Sequence, residues 1–76
     1  MDIGMMWFDD DAKRGLSDKV SRAAAYYQAK YGAHPNLCFV NPAVLANGQE
    51  TVTVGVQIRP ARTVLPNHFW LGVSEN

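Results

Sequence analysis

Cysteine is nearly absent from this chain of 76 residues, in which Cys38 is the only one. An intrachain disulfide is therefore excluded. A domain of this size buries only about 60% of the surface of its unfolded chain, and it commonly needs a disulfide, a structural metal or a partner subunit. A structural zinc site takes about four cysteine or histidine ligands, whereas only His34 and His68 are available to join Cys38. The sequence thus predicts no cofactor and stabilisation by a second copy, as a homodimer.

An excess of charge of either sign is also missing, because seven basic residues balance seven acidic ones. Domains that bind nucleic acid electrostatically are usually basic, so the composition argues against a nucleic-acid partner. No apolar run approaches the roughly 18 residues of a membrane-spanning helix. The opening MDIGMMWFDDD lacks the basic start of a secretory signal. We therefore expect a cytoplasmic protein without membrane contact.

The longest periodic segment predicts a helix over about residues 17–31. The residues that recur at helical spacing and form one apolar stripe are Leu16, Val20, Ala23, Ala24, Tyr27 and Tyr31. Ser17 is the predicted N-cap. Gly32 stands where a left-handed residue commonly ends a helix.

Four segments are predicted strands: residues 3–8, 37–40, 51–59 and 68–73, with a helical turn in NPAVLANG after the second. The strict alternation in TVTVGVQIR is typical of one continuous strand. A strand–helix–strand unit places its two strands parallel with the helix on one face. We therefore predict a single α+β domain over residues 1–76. It is a two-layer sandwich in β-α-β-β-β order, with one helix on a mixed four-stranded sheet and an antiparallel hairpin at the end.

A second apolar sheet face follows from this arrangement, because several strands are apolar on both sides and one helix covers only one. The residues assigned to the uncovered face are Met6, Phe8, Cys38, Val40 and Trp70. We predict a homodimer, either packed through this face or joined at sheet edges, or else binding of an unidentified protein partner. The alternative is that the loop at residues 59–67 covers it, with Val64 and Leu65.

Three consecutive aspartates, Asp9, Asp10 and Asp11, follow the first strand. The carboxyl ends of parallel strands favour ligand sites, and carboxylates bind Mg²⁺. An Mg- or Mn-dependent phosphoryl-transfer enzyme is therefore one hypothesis. Side chains of successive residues in an extended chain point to opposite sides, so at most two of the three carboxylates converge. The neighbouring Lys13 and Arg14 could neutralise their charge. We favour a solvated strand end over a metal site.

Five basic residues are expected at the opposite end of the sheet if the third strand runs antiparallel to the second. They are Lys30, His34, Arg59, Arg62 and His68. Arginine suits planar anions, so an anion- or nucleic-acid-binding module is the first alternative function. The same placement separates both histidines from the aspartates.

Catalytic residues are not assigned. The chain has no glycine-rich phosphate loop, and no serine stands in a nucleophile turn. Cys38 is predicted to be a small buried hydrophobe in mid-strand, without a histidine to activate it. The favoured function is that of a small non-enzymatic interaction or assembly protein.

Overall fold

One helix packs against a mixed five-stranded sheet in the computed structural model, which describes residues 4–74. The elements are β1 (Gly4–Phe8), α1 (Leu16–Tyr31), β2 (Leu37–Val40), β3 (Thr51–Thr53), β4 (Val56–Pro60) and β5 (His68–Gly72), with 3₁₀ turns at Pro42–Val44 and Ala46–Gly48. The predicted α+β fold is confirmed, with five strands instead of four. The predicted start of the first strand at Ile3 lies outside the described residues.

The extra strand arises because the predicted long strand is a hairpin. Val54 and Gly55 both have positive φ, 46° and 74°, as a two-residue type I′ turn requires. β3 and β4 are antiparallel, and Thr53 and Val56 are the first pair of residues next to the turn. Valine is an uncommon residue at a positive φ, so the usual Asn-Gly signal of such a turn was missing from the sequence.

The strand order is β1-β5-β2-β4-β3. β1 and β2 run in the same direction, as the strand–helix–strand unit predicts, but β5 lies between them and is antiparallel to both. β4 is parallel to β2. The predicted hairpin of the last two strands is therefore wrong, because the chain returns through residues 61–67 and inserts its final strand in the middle of the sheet.

This topology brings several chain segments to one end of the sheet. β1, β2 and β4 finish there, and β5 and α1 begin there. We call it the upper end. The opposite, lower end carries the last turn of α1 and the starts of β2 and β4.

The main core lies between α1 and one face of the sheet. From the helix, Val20, Ala23, Ala24 and Tyr27 are buried. Facing them are Met5, Cys38, Val40, Val56, Ile58, Phe69 and Leu71, with Leu45 at the margin. The assignment of Cys38 and Val40 to the uncovered face is wrong, since both are fully buried on the helix side. All four residues of β2 are apolar, so alternation alone does not fix which pair faces the helix, whereas the register of Cys38 with Leu71 does.

The helix begins at Leu16 with Gly15 as the N-cap, so the predicted cap at Ser17 is wrong. The Ser17 hydroxyl oxygen instead accepts a hydrogen bond from Thr53 Oγ1 at 2.8 Å, which ties the first turn of α1 to β3. The helix ends as predicted at Gly32, which has a φ of 76°. Within residues 4–74, no helix combines the length and apolar character that crossing a membrane would require.

Candidate functional site

The sheet face opposite α1 is formed by the side chains that alternate with the core. In strand order they are Gly4, Met6 and Phe8 on β1, His68, Trp70 and Gly72 on β5, Leu37 and Phe39 on β2, Gln57 and Arg59 on β4, and Val52 on β3. We call this surface the helix-free face. It is mainly apolar on β1, β5 and β2 and becomes polar on β4.

An apolar row crosses three strands of the helix-free face. Phe39 stands opposite Trp70, and Trp70 stands opposite Met6. Trp70 and Phe39 are half-buried, whereas Met6 is 50% exposed and Phe8 is 54% exposed. The structure thus brings the predicted residues Met6, Phe8 and Trp70 together. Phe39 was missed by sequence reasoning, because only the strand order shows which residues of β2 adjoin Trp70.

The loop at residues 61–67 covers part of the helix-free face. Val64 is buried, and its carbonyl oxygen accepts a hydrogen bond from Asn41 Nδ2 at 3.1 Å. Leu65, the other residue expected to provide cover, is 65% exposed. A groove of about 430 Å³ stays open between the loop and the sheet, lined by Met6, Phe39, Ala61, Thr63, Val64 and Trp70. The loop therefore closes one end of the face and leaves its β1 side uncovered.

The Trp70 indole packs closely against Gly4 on the same face. A Cβ atom placed on Gly4 would overlap the indole carbons Cε2 and Cζ2 and would lie 2.8 Å from Nε1. Glycine at this position therefore lets the tryptophan ring rest on the backbone of β1. The position of the indole depends on that close approach.

Arg14 engages two of the three aspartates at the upper end, Asp9 and Asp11, together with Asp18 of α1. Its Nη1 atom lies 3.5 Å from Asp9 Oδ2 and 3.5 Å from Asp11 Oδ2, and its Nε atom lies 3.7 Å from Asp18 Oδ2. The Asp9 carboxylate also accepts a hydrogen bond from the Asp11 N–H at 3.0 Å. These contacts make the loop a strand-ending turn built around a guanidinium group, with Asp10 exposed outside it.

A metal ion would compete with Arg14 for the same oxygens. Two of the three aspartates converge, and they converge on the guanidinium. Across residues 4–74, no three histidine, cysteine, aspartate or glutamate side chains group together as metal ligands. The hypothesis of a phosphoryl-transfer enzyme at Asp9, Asp10 and Asp11 therefore gains no geometric support.

The hydrogen bond from the Asp11 N–H, more than the Arg14 charge, holds the pKa of Asp9 below its ordinary value of 3.8, against an opposing effect of desolvation. Because the folded-state pKa is lowered, the ionised carboxylate stabilises the fold above about pH 4, and this stabilisation is lost as the pH falls through the folded-state pKa. We expect Asp9→Asn to lower the melting temperature at pH 7 and to differ progressively less from the parent protein below about pH 4.

Circular dichroism melts between pH 7 and pH 2.5 measure this effect. Asp10→Asn is the matched control, because Asp10 makes no hydrogen bond or ion pair within the part of the chain from 4 to 74. A difference for Asp9→Asn that stayed constant down to pH 2.5 would contradict the assigned role.

An open cleft of about 860 Å³ separates the aspartate loop from α1. It is lined by Trp7, Phe8, Asp9, Asp10, Asp11, Arg14, Arg22, Ala25 and Tyr26. The Trp7 and Tyr26 rings contact each other at a centroid distance of 5.1 Å. Arg22 Nε lies 3.4 Å from Asp18 Oδ1, so both arginines of the cleft are engaged by carboxylates. The cleft therefore presents no unengaged guanidinium to an anion.

The predicted basic end is divided in two. Lys30 and His34 lie at the lower end, whereas Arg59, Arg62 and His68 lie at the upper end, because β4 is parallel to β2. The predicted separation from the aspartates is wrong for His68, which stands opposite Phe8, directly before Asp9. His34 lies at the end away from them, as predicted.

Contacts within the protein engage three of these basic side chains. Lys30 Nζ lies 5.5 Å from the centroid of the Tyr31 ring. Arg59 Nε lies 3.0 Å from Glu50 Oε2. His68 Nδ1 lies 2.9 Å from the Pro66 carbonyl oxygen. The five residues therefore form no single anion-binding cluster.

Cys38 is buried, as predicted, and burial raises its pKa to about 12. The thiol is therefore protonated at neutral pH and is not available as a nucleophile. The interior of the sheet accordingly offers no reactive sulfur.

Comparison with protein-family models, with curated proteins and with solved structures finds no match. The feature that stands out is the apolar half of the helix-free face, which α1 does not reach and the loop covers only at one end.

Proposed function

We propose that the protein acts by self-association, as a homodimer whose contact includes the exposed residues Met6 and Phe8 on the β1 side of its helix-free face. The observation that carries the proposal is the half-exposed pair Met6 and Phe8, next to Trp70 and Phe39. Contiguous exposed apolar patches are uncommon on monomers and mark interaction sites. The role is a non-enzymatic one in assembly. We place it in the cytoplasm, where a single buried thiol remains reduced.

The residues around the patch support an interface. Interface centres are enriched in aromatic residues and methionine and are bordered by a polar rim. Here Phe8, Trp70 and Met6 form the centre, and Gln57 and Arg59 border it on β4. The opposite charges of Arg59 and Glu50 are paired within the chain, so the rim presents no strong field that would repel a second copy.

The area of the apolar part of the face determines how tight a dimer we expect. The three apolar strands β1, β5 and β2, spaced about 4.8 Å apart and about 16 Å long, cover roughly 230 Å² in projection, to which side-chain relief adds. Stable interfaces bury about 800 Å² per partner, and smaller ones form transient complexes. We therefore expect a reversible dimer with a dissociation constant on the order of micromolar.

The alternatives have less support. An anion- or nucleic-acid-binding module would use Lys30, His34, Arg59, Arg62 and His68 together, and the fold divides them between two ends. A metal-dependent enzyme would use carboxylates that Arg14 engages. Neither arrangement leaves a cluster of unengaged groups comparable to the apolar patch.

Phe8→Asp is expected to raise the dimer dissociation constant at least 100-fold, because dimerisation would bury an unpaired carboxylate in the apolar centre. Sedimentation equilibrium over a concentration series measures the change. Circular dichroism checks that the monomer stays folded, as expected for a residue that is 54% exposed.

Val54→Asp is the matched control. Val54 is an exposed valine in the hairpin turn, distant from β1, and it has a positive φ that aspartate tolerates better. We expect the same added charge at Val54 to leave the dimer dissociation constant unchanged. Equal dissociation constants for Phe8→Asp and the parent protein would refute the proposed surface.

A further inference from the structure

The two edges of the sheet differ in how they are protected. Native proteins block unwanted strand pairing with very short edge strands, charges, prolines or bulges. The edge strand β3 has three residues. The other edge strand, β1, has five residues, GMMWF, with no charge and no proline. Among the strands of residues 4–74, β1 is thus the unprotected edge.

The backbone groups on that edge can be assigned from the pairing with β5. The Asp9 N–H donates to the Asn67 carbonyl oxygen at 2.9 Å. Backbone groups alternate sides along a strand, so those of Trp7 and Met5 also point toward β5. The N–H and C=O groups of Gly4, Met6 and Phe8 consequently point outward. These are the residues of β1 whose side chains lie on the helix-free face.

We propose that the two copies join by antiparallel pairing of β1 with the partner's β1, about a two-fold axis at Met6. This inference rests on the self-association proposed above and names its geometry. The outward N–H and C=O groups of one β1 can bond only to the outward groups of the other. The register centred on Met6 is the one in which Gly4, Met6 and Phe8 all form these hydrogen bonds. Met6 then stands opposite the partner's Met6, and Gly4 stands opposite the partner's Phe8. The paired β1 strands then form about six backbone hydrogen bonds between the two chains.

Side-chain shape favours a second copy as the occupant. In this register Phe8 stands opposite the partner's Gly4. Because the Trp70 indole packs against Gly4 within each chain, the Phe8 ring contacts the partner's Trp70. An aromatic contact therefore forms twice, once on each side of the axis. The apolar halves of both helix-free faces become one continuous surface, and the exposed fractions of Met6 and Phe8 fall.

Charge also permits self-pairing. The three aspartates follow the paired segment, so the two acidic loops lie at opposite ends of the joined strands. Five residues of antiparallel strand span about 17 Å, which exceeds the Debye length of about 8 Å at physiological salt. Repulsion between the loops is therefore screened.

Met6→Cys tests the register directly. Paired residues of this type have Cα atoms about 5.5 Å apart, within the disulfide range of about 4.4–6.8 Å. With glutathione disulfide as the oxidant, two thiols lose two protons and two electrons, form one S–S bond and leave two reduced glutathione molecules. We expect a covalent dimer, formed at least tenfold faster than with Val52→Cys, which places the thiol on the same face at the far edge.

Crosslinking places the two Met6 positions next to the two-fold axis, but packed sheets about 10 Å apart can also be joined by a disulfide. The comparison of Met6→Pro with Met6→Ala therefore separates edge pairing from stacking of the two faces. Cys38 does not interfere, because it is buried and its pKa is about 12. A dimeric parent protein whose Met6→Cys variant crosslinks no faster than Val52→Cys would overturn edge pairing and leave self-association standing. A monomeric parent protein would overturn both.

Met6→Pro and Met6→Ala give a second, independent measurement. Both remove the methionine side chain, but only proline also removes the outward N–H that the joint requires, and proline is tolerated on edge strands when its nitrogen faces solvent. We expect Met6→Pro to raise the dissociation constant at least 100-fold and Met6→Ala less than tenfold. Equal effects would overturn edge pairing. If Met6→Pro is unfolded by circular dichroism, Phe8→Pro against Phe8→Ala gives the same comparison, because the Phe8 N–H also points outward.

Discussion

Leu71→Ala is expected to destabilise the fold by about 2–5 kcal/mol, because it opens a cavity in the middle of the core. Leu71 is 0% exposed and lies on β5, where it stands opposite Met5 on one side and Cys38 on the other. Total stability for a chain of this length is about 4–11 kcal/mol. The substitution should therefore remove a large part of it and lower the urea midpoint by about 2 M or more.

Leu65→Ala is the matched control for this experiment. Leu65 is 65% exposed on the loop after β4, so truncating it should change stability by about 0.5 kcal/mol or less. Urea denaturation of both variants at one protein concentration gives the comparison. Similar midpoints for the two variants would contradict the placement of the last strand at the centre of the sheet.

Gly4→Ala is expected to cost about 1–3 kcal/mol, because the added methyl group overpacks a tight contact. Its Cβ atom would overlap the Trp70 indole, so the ring must leave the backbone of β1. Made in a Trp7→Phe background, the variant has Trp70 as its single tryptophan. We expect the emission maximum of Trp70 to move to longer wavelength as the ring becomes exposed to water.

Two controls accompany Gly4→Ala. Gly15→Ala places a methyl group where no atom lies within 4 Å, so it should leave the emission of Trp70 unchanged. Replacing Trp70 by leucine should remove most of the cost of Gly4→Ala, as a double-mutant cycle would show. An unchanged emission spectrum and no coupling between the two positions would contradict the close approach.

Local features of the fold were predictable from the sequence. The helical stripe and Gly32 predicted the extent of α1 to within one residue, since helical periodicity and capping depend on neighbouring residues. The direction of β1 and β2 followed from the helix between them. The presence of an uncovered apolar face also followed, because counting apolar strand faces requires no knowledge of strand order.

Non-local features were not predictable in the same way. The insertion of β5 between β1 and β2 depends on pairing between the two ends of the chain. The hairpin turn at Val54 and Gly55 lacks the residue types that usually mark such a turn. These two events decide which end of the sheet receives Arg59 and His68, so the expected basic cluster was placed incorrectly.

Only some residues of the candidate interface were predictable, because the others depend on the register between strands. Met6, Phe8 and Trp70 were assigned correctly to the helix-free face. Cys38 was assigned to it incorrectly, and Phe39 was left out. The apolar run of β2 fits either phase of a strand, and only its hydrogen-bonded register with β5 resolves the choice.

Light scattering of the unmodified protein over a concentration series tests the central claim most directly. Self-association predicts a mass that rises from the chain mass of 8.4 kDa toward twice that value, with a midpoint on the order of micromolar. A mass that stays at 8.4 kDa up to millimolar concentration would contradict the account.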